Sequence, residues 1–277
     1  MDPRNKTAIV TGGASGIGRA LVRALLAAEV STVVVVDRNA HMLQESLSRL
    51  ETQLQAKVIA QQCDVGDQRL WRETLLALLR ELGHIDIMCS NAGVARGGGL
   101  DASNQDWEES WRVNVLAHVT AASTLLPSML EQGSGYFLST ASAAGLLTNL
   151  GAAPYSVTKH AVVGFAEWLA ITYRSRGIRV SCLCPQGVRT PMLFPVGDIQ
   201  DDSSQLAQRS VTTFGDIREP DEVAELSIIA MREERFLVLP HPEVHDYIIR
   251  KSQDPERWIA SMARYAEQLS QDLPGSA

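Results

Sequence analysis

The stretch Thr11-Gly12-Gly13-Ala14-Ser15-Gly16-Ile17-Gly18 constrains this chain more than any other. The apolar run Thr7-Ala8-Ile9-Val10 leads straight into it, and helix-forming sequence, Arg19 to Glu29, follows at once. A second apolar run, Thr32 to Val36, ends on Asp37. Strand, glycine turn, helix, strand and acid is the order of a dinucleotide-binding unit. The glycines have separate tasks there: one permits a tight turn, one lets the backbone approach a pyrophosphate, and one lets the helix pack on the strand. The free N–H groups opening the helix then face phosphate. Ordinary loops also carry glycine clusters, so the flanking elements and the spaced acid decide the reading.

The remaining sequence repeats the alternation. Helical spacing covers Ala40 to Leu54 (Leu43, Leu47, Leu50, Leu54), Leu70 to Leu82 before Gly83, Asp106 to Met129 with a bend expected before Pro127, Pro154 to Ser175, a short stretch at Ser203 to Val211, and Pro220 to Glu233. Strand-like runs are Lys57 to Gln61, Ile85 to Cys89, Gly135 to Thr140, Ile178 to Cys184 and Phe236 to Leu239. Strands that are apolar on both faces and alternate with helices indicate a parallel sheet covered on both sides. The expected fold is α/β: a single doubly wound domain over residues 1–240, with a helical extension over 241–277. That extension follows Pro240-His241-Pro242 and reads as one or two amphipathic helices between Val244 and Leu269.

A formal net charge of −7 and the absence of a basic run exclude a nucleic-acid footprint. The apolar runs read as too short to cross a bilayer, and the polar start, Met1 to Lys6, leaves no room for a signal peptide. Cys63, Cys89, Cys182 and Cys184 sit in or beside apolar runs, as reduced thiols of a cytoplasmic protein would. Cys182 and Cys184 are expected on opposite strand faces, a poor arrangement for shared metal ligation, and no metal site is expected.

Chemistry-bearing residues gather where the strands end: Gly12 to Gly18, Asp37, Asp64, Asn91 to Gly93, Ser142 and Pro185 to Thr190. Ligands of such sheets bind there. Asp37 can hold the ribose hydroxyls of an adenosine and repel a 2′-phosphate, which favours NAD. Arg38 beside it could accept that phosphate, which keeps NADP as the alternative. Tyr155 and Lys159 lie one helical turn apart on one face, and an ammonium near a phenol favours phenolate. His160 points elsewhere, and His41, His84, His118, His241 and His245 show no ligand spacing.

The set Thr11 to Gly18, Asp64-Val65, Asn91-Ala92-Gly93, Asn114, Ser142 and Tyr155-Ser-Val-Thr-Lys159 resembles the short-chain dehydrogenase/reductase family over roughly residues 5–240. The resemblance implies a Rossmann sheet of seven parallel strands and hydride exchange with a nicotinamide. It gives Tyr155 the role of general acid/base, Ser142 that of orienting the reacting oxygen, and Lys159 that of binding ribose and lowering the Tyr155 pKa. Asn114 would hold a water linking Lys159 to solvent. Cofactor contacts would come from Gly12, Ser15, Gly16, Ile17, Gly18, Asp37, Arg38, Asp64, Val65, Asn91, Ala92, Gly93, Tyr155, Lys159, Pro185, Val188 and Thr190. Gln186 stands where the family usually has glycine, and the extension replaces the glycine-rich tail that helps relatives form tetramers. A homodimer or homotetramer through helices at about 106–129 and 154–175 is therefore expected.

Candidate substrate residues are Val94, Arg96, Ser142, Leu147, Tyr155, Met192 and Phe194, with Leu146, Leu150 and Leu193 beside them. Their apolar character suggests a hydrophobic secondary alcohol or its ketone. A lid over about 189–219 would close on it, hinged at Gly197 and Gly215. The alternatives are an NADP-dependent carbonyl reductase and a non-catalytic nucleotide-sensing scaffold.

Overall fold

Strands β1 (Thr7–Thr11), β2 (Thr32–Asp37), β3 (Lys57–Gln62), β4 (Ile87–Ser90), β5 (Gly135–Thr140), β6 (Ile178–Leu183) and β7 (Leu237–Val238) form one all-parallel sheet. Their spatial order is β3-β2-β1-β4-β5-β6-β7. The computed structural model describes residues 1–48, 56–96, 98–195, 202–213 and 215–271. Leu50, Leu54, Gly97, Gly197 and Phe214 lie outside them. The order reverses between β1 and β4, so the chains leaving these two strands diverge and open a crevice at their carboxyl ends.

The helices are α1 (Gly16–Ala27), α2 (Ala40–Ser48), α3 (Gln68–Leu82), α4 (Asn104–Ser110), α5 (Ala117–Glu131), α6 (Ala144–Leu147), α7 (Ala153–Tyr173), α8 (Asp202–Thr212), α9 (Pro220–Glu233), α10 (Glu243–Gln253) and α11 (Pro255–Gln271). Alternate strand residues feed two cores. Ile9, Val34, Met88, Phe137 and Val180 pack with Trp71, Leu125 and Val162 from α3, α5 and α7. Ala8, Val10, Val33, Ile87 and Leu138 pack with Leu21, Leu25, Val223 and Met231 from α1 and α9. Each fully buried Leu, Ile or Val side chain contributes about 1.5–3 kcal/mol.

Several local readings need correction. The Asp106–Met129 helix starts earlier, because Ser103 and Asp106 form a reciprocal capping box. Its irregularity lies at a π-helical turn, Trp111–Leu116, and α5 continues through Pro127. The run Asn104–Glu131 is long and apolar enough to span a membrane by length and composition, with mean hydropathy 1.3. That window is 61% buried in the protein, which marks it as a core helix. Cys182 and Cys184 share one face, with Sγ atoms 3.7 Å apart, because side chains two apart on a strand point the same way. The seventh strand is cut to two residues, and α6 was not legible.

Trp71 ties α3 to the long helix: it is fully buried and its Nε1 donates to the Ala117 carbonyl at 3.1 Å. Trp71→Ala removes that bond and leaves a cavity, so it lowers unfolding free energy by about 3–5 kcal/mol. A urea titration that shows no more than about 1 kcal/mol of loss contradicts this packing role.

Candidate active site

The carboxyl ends of the strands open into one cavity of about 1100 Å³. Every cofactor, catalytic and substrate residue named above lines it except Gly18, Asn114, Leu146 and Phe194. Gly12 takes φ +64°, a backbone conformation that disfavours side chains. A Cβ on Gly18 would stand 2.0 Å from the Gly12 carbonyl oxygen, so Gly18 shapes the loop from behind instead of lining it. Thr11 joins the two diverging chains: its Oγ1 accepts from Asn91 N (2.9 Å) and Ala92 N (3.0 Å), while Asn91 Nδ2 donates to the Thr11 carbonyl (3.1 Å). At the end of β2, Asp37 Oδ2 accepts from Ala14 N at 3.2 Å and Oδ1 from Asn39 N at 3.0 Å. Its carboxylate is thereby fixed beside the glycine loop. Asp64 Oδ1 accepts from Gly66 N at 2.8 Å.

The candidate catalytic cluster is built from three elements. Ser142 follows β5, is buried, and its Oγ donates to the Pro185 carbonyl at 3.4 Å and accepts from Ala144 N at 3.1 Å. Tyr155 and Lys159 lie one turn apart on α7, with Lys159 Nζ 5.6 Å from the phenol ring centre. Lys159 Nζ donates to the Thr140 carbonyl at 2.9 Å. Asn114 sits on the π turn behind them, fully buried. Its Oδ1 accepts from Val94 N (2.8 Å), and its Nδ2 donates to Val94 O (3.0 Å) and Thr158 Oγ1 (3.0 Å). The side chain is therefore anchored to these protein groups. A Cβ on Gly93 would come within 3.3 Å of Asn114 Oδ1 and 3.5 Å of Lys159 Nζ, so glycine keeps this corner open.

Burial sets the electrostatics. It raises the Tyr155 pKa, partly opposed by the hydrogen bond with Ser142 and assisted by Cys184. Lys159 is not among the groups that shift it, so the expected depression does not arise from the protein's own groups. Burial also lowers the Lys159 pKa to about 8, against smaller raising effects of Cys184 and Cys182.

Residues 6–200 match the family model described as short chain dehydrogenase. The chain belongs to the short-chain dehydrogenase/reductase family. It resembles the sex determination protein tasselseed-2 of Zea mays at 36% identity over 196 residues, 68% of this chain and 57% of that protein. It is 31% identical to the NAD(+) 15-hydroxyprostaglandin dehydrogenase of Rattus norvegicus over 199 residues, 70% of this chain and 72% of the relative. Among solved structures, a short-chain dehydrogenase/reductase from Burkholderia phymatum in complex with NAD superposes with a TM-score of 0.83 at 29% identity, covering 92% of this chain and 96% of that one. This family member is an oxidoreductase acting on CH–OH groups with a nicotinamide cofactor.

Several parts of this dehydrogenase/reductase site escaped the sequence reading. Glu109 on α4 is the first: Arg96 Nη2 lies 2.6 Å from its Oε2 and Arg38 Nη1 3.6 Å from its Oε1. Next, His241 is fully buried, accepts from Gln186 N through Nδ1 (3.1 Å), and its Nε2 lies 3.0 Å from Gly187 O and 3.1 Å from Asp216 O. The first residue of the extension thus clamps the loop where Gln186 departs from the family pattern. Finally, Tyr247, Trp258, Met262 and Tyr265 of α10 and α11 line the cavity, and Tyr265 OH donates to Ser210 O of α8 at 3.3 Å. The spacing of Trp258, Met262 and Tyr265, four and three residues apart, was the available signal. Phe194 is excluded instead. The turn bonding its N–H to Thr190 O at 2.9 Å sets it under Arg189, whose guanidinium lies 5.7 Å from the ring centre. Leu146 also lies outside the lining, whereas Leu147, Leu150, Met192 and Leu193 belong to it. Gly215, the described hinge candidate, has φ +121°.

Two buried histidines make the fold acid-sensitive. Burial, with the charge of Lys159, lowers His118 to about 3, and burial lowers His241. Both are neutral in the folded chain, so the unfolded chain takes up protons first as pH falls. Stability is full above the ordinary histidine pKa and declines below it. Urea midpoints are expected to fall between about pH 7.5 and about pH 5.5, and to fall less in His118→Leu. A pH-independent midpoint contradicts this reading.

Proposed function

We propose that the protein is an NAD(H)-dependent oxidoreductase that interconverts an apolar secondary alcohol and its ketone, with Tyr155 as the general acid/base. The observation that carries this is the meeting of Ser142, Tyr155 and Lys159 at the floor of a cavity whose farther walls hold Leu147, Leu150, Met192 and Leu193. A nicotinamide bound there would supply the hydride chemistry. The protein's own groups manage the proton and the geometry. Tyr155 takes the alcohol proton during oxidation and returns it to the carbonyl oxygen during reduction. Ser142 hydrogen-bonds the same oxygen and fixes its position. Lys159, buried and cationic below its pKa of about 8, stabilises the phenolate form. Gly12, Ser15, Gly16, Ile17 and Thr190 would hold the dinucleotide's phosphates, and Asp64 and Val65 its adenine.

NAD over NADP is supported at the end of β2. Asp37 stands where the adenosine ribose belongs, and Arg38, the group that would receive a 2′-phosphate, already faces Glu109. Self-association through the long helix and α7 is supported by their exposed Trp111, Leu116, Trp168 and Ile171. Four buried free cysteines suit a reducing, cytoplasmic setting.

A panel of alcohols with NAD and of ketones with NADH tests the reading. Tyr155→Phe is expected to lower kcat about a hundredfold or more while NADH binding, followed by fluorescence, holds. Near-normal turnover by the variant, or tighter binding of NADPH than NADH by the wild type, overturns it.

A further inference from the structure

The cavity is asymmetric in charge. The only acids lining it among the described residues are Asp37 and Asp64, both at the ends of β2 and β3 where the adenosine half belongs. The remainder, enclosed by α6, α8, α10 and α11, has no lining carboxylate among the described residues, although the chain carries a net charge of −7. Apart from Lys159, two cations reach that part. Arg96 is spent on Glu109. Arg250 is not: its guanidinium lies over the Tyr247 ring, 5.9 Å from the centre, and among the described residues it has no carboxylate partner. Tyr247 and Arg250 are three residues apart on α10, share a face, and both line the cavity.

The position of Arg250 is set by its neighbour. Lys251 Nζ donates to the Leu146 carbonyl at 2.6 Å, which fastens the last turn of α10 to α6, the short helix that begins two residues after Ser142. A cation in the last turn of a helix is favourable for the helix dipole, and Lys251 already meets that need. The dipole therefore leaves unexplained why a second cation stands on the cavity-lining face. Arg250 is exposed at the cavity's rim, where the Tyr247 ring supports one face of the planar guanidinium and leaves its edge free to donate in pairs, the geometry that a carboxylate matches. The surrounding surface, including Trp258 and Met262, is suited to a hydrocarbon body.

We propose that Arg250 is an anion subsite, and that the substrate is an apolar secondary alcohol or ketone bearing a carboxylate remote from its reacting carbon. This rests on the reaction proposed above. The C-terminal extension then selects substrate: Lys251 and Tyr265 seat it, Trp258 and Met262 cover the apolar body, and Arg250 reads the charged end.

The test uses hydroxyhexanoate, hydroxyoctanoate and hydroxydecanoate with the hydroxyl on the penultimate carbon, each beside its methyl ester, with the full-length protein and NAD. At the chain length that spans the cavity, the acid is expected to exceed the ester in kcat/KM by about tenfold or more. Arg250→Met brings the acid down to the ester, mainly through KM, and leaves the ester within about twofold. Arg250→Lys restores part of the difference. Unchanged NADH binding by the variants reports an intact fold. Equal acid and ester at every length, or an equal loss for both in Arg250→Met, overturns the inference while leaving the proposed reaction standing. Calorimetry on the NADH complex separates the reverse case. Arg250-dependent binding of the acid without any turnover upholds the subsite and overturns the reaction.

Discussion

A single buried carboxamide holds the site together. Asn114 spends Oδ1 and Nδ2 on both backbone groups of Val94 and on Thr158, and so joins the loop after β4 to the helix that carries Lys159. Each group is removed from water, so losing one bond would leave a buried polar atom unsatisfied at about 1–3 kcal/mol. The π turn Trp111–Leu116 is what aims this side chain inward. Such turns are rare in helices and recur at functional sites, where one extra residue re-registers a helix face. The β4 loop is thus pinned on one side by Asn114 and on the other by Thr11, between the proposed cofactor and catalytic faces.

Low dielectric then works in two directions. It raises the phenol of Tyr155 and lowers the ammonium of Lys159, so each is driven toward its neutral form. Ser142 opposes the first effect locally through a hydrogen bond to the phenol. Behind the pair lie two buried thiols, Cys182 and Cys184, and His118, held neutral by its burial. The site is therefore a small polar island whose ionisation is governed by burial. That fits the proposed reaction, in which the substrate oxygen would exchange its proton with Tyr155 while the carbon would exchange a hydride with the bound cofactor.

Much of this was legible beforehand, for physical reasons. The unit from Lys6 to Asp37 carries its fold in periodicity and glycine placement, and the two-sided apolar strands required a parallel sheet. Tyr155 and Lys159 gained meaning from Ser142 because strand ends in such a sheet converge. The rest was hidden because it depends on partners distant in sequence. Glu109 meets Arg38 and Arg96 only after α4 folds back over the β4 loop, and no local pattern pairs them. His241 shows its part only against Gln186 and Asp216. A helix with bonds to the fifth residue has nearly the same apolar pattern as one with bonds to the fourth, so the π turn left no trace. The amphipathic extension signalled that one face is buried, without signalling that it is buried on the active site.

The central claim is that the glycine loop, Asp37 and the Ser142–Tyr155–Lys159 cluster are one cofactor and substrate site. A crystal structure with NAD tests it most directly. The account predicts dinucleotide density running from Asp37, past the glycine loop, to Tyr155, with Lys159 turned from the Thr140 carbonyl toward ribose. Density elsewhere on the protein, or a dinucleotide whose nicotinamide end lies away from Tyr155, contradicts it.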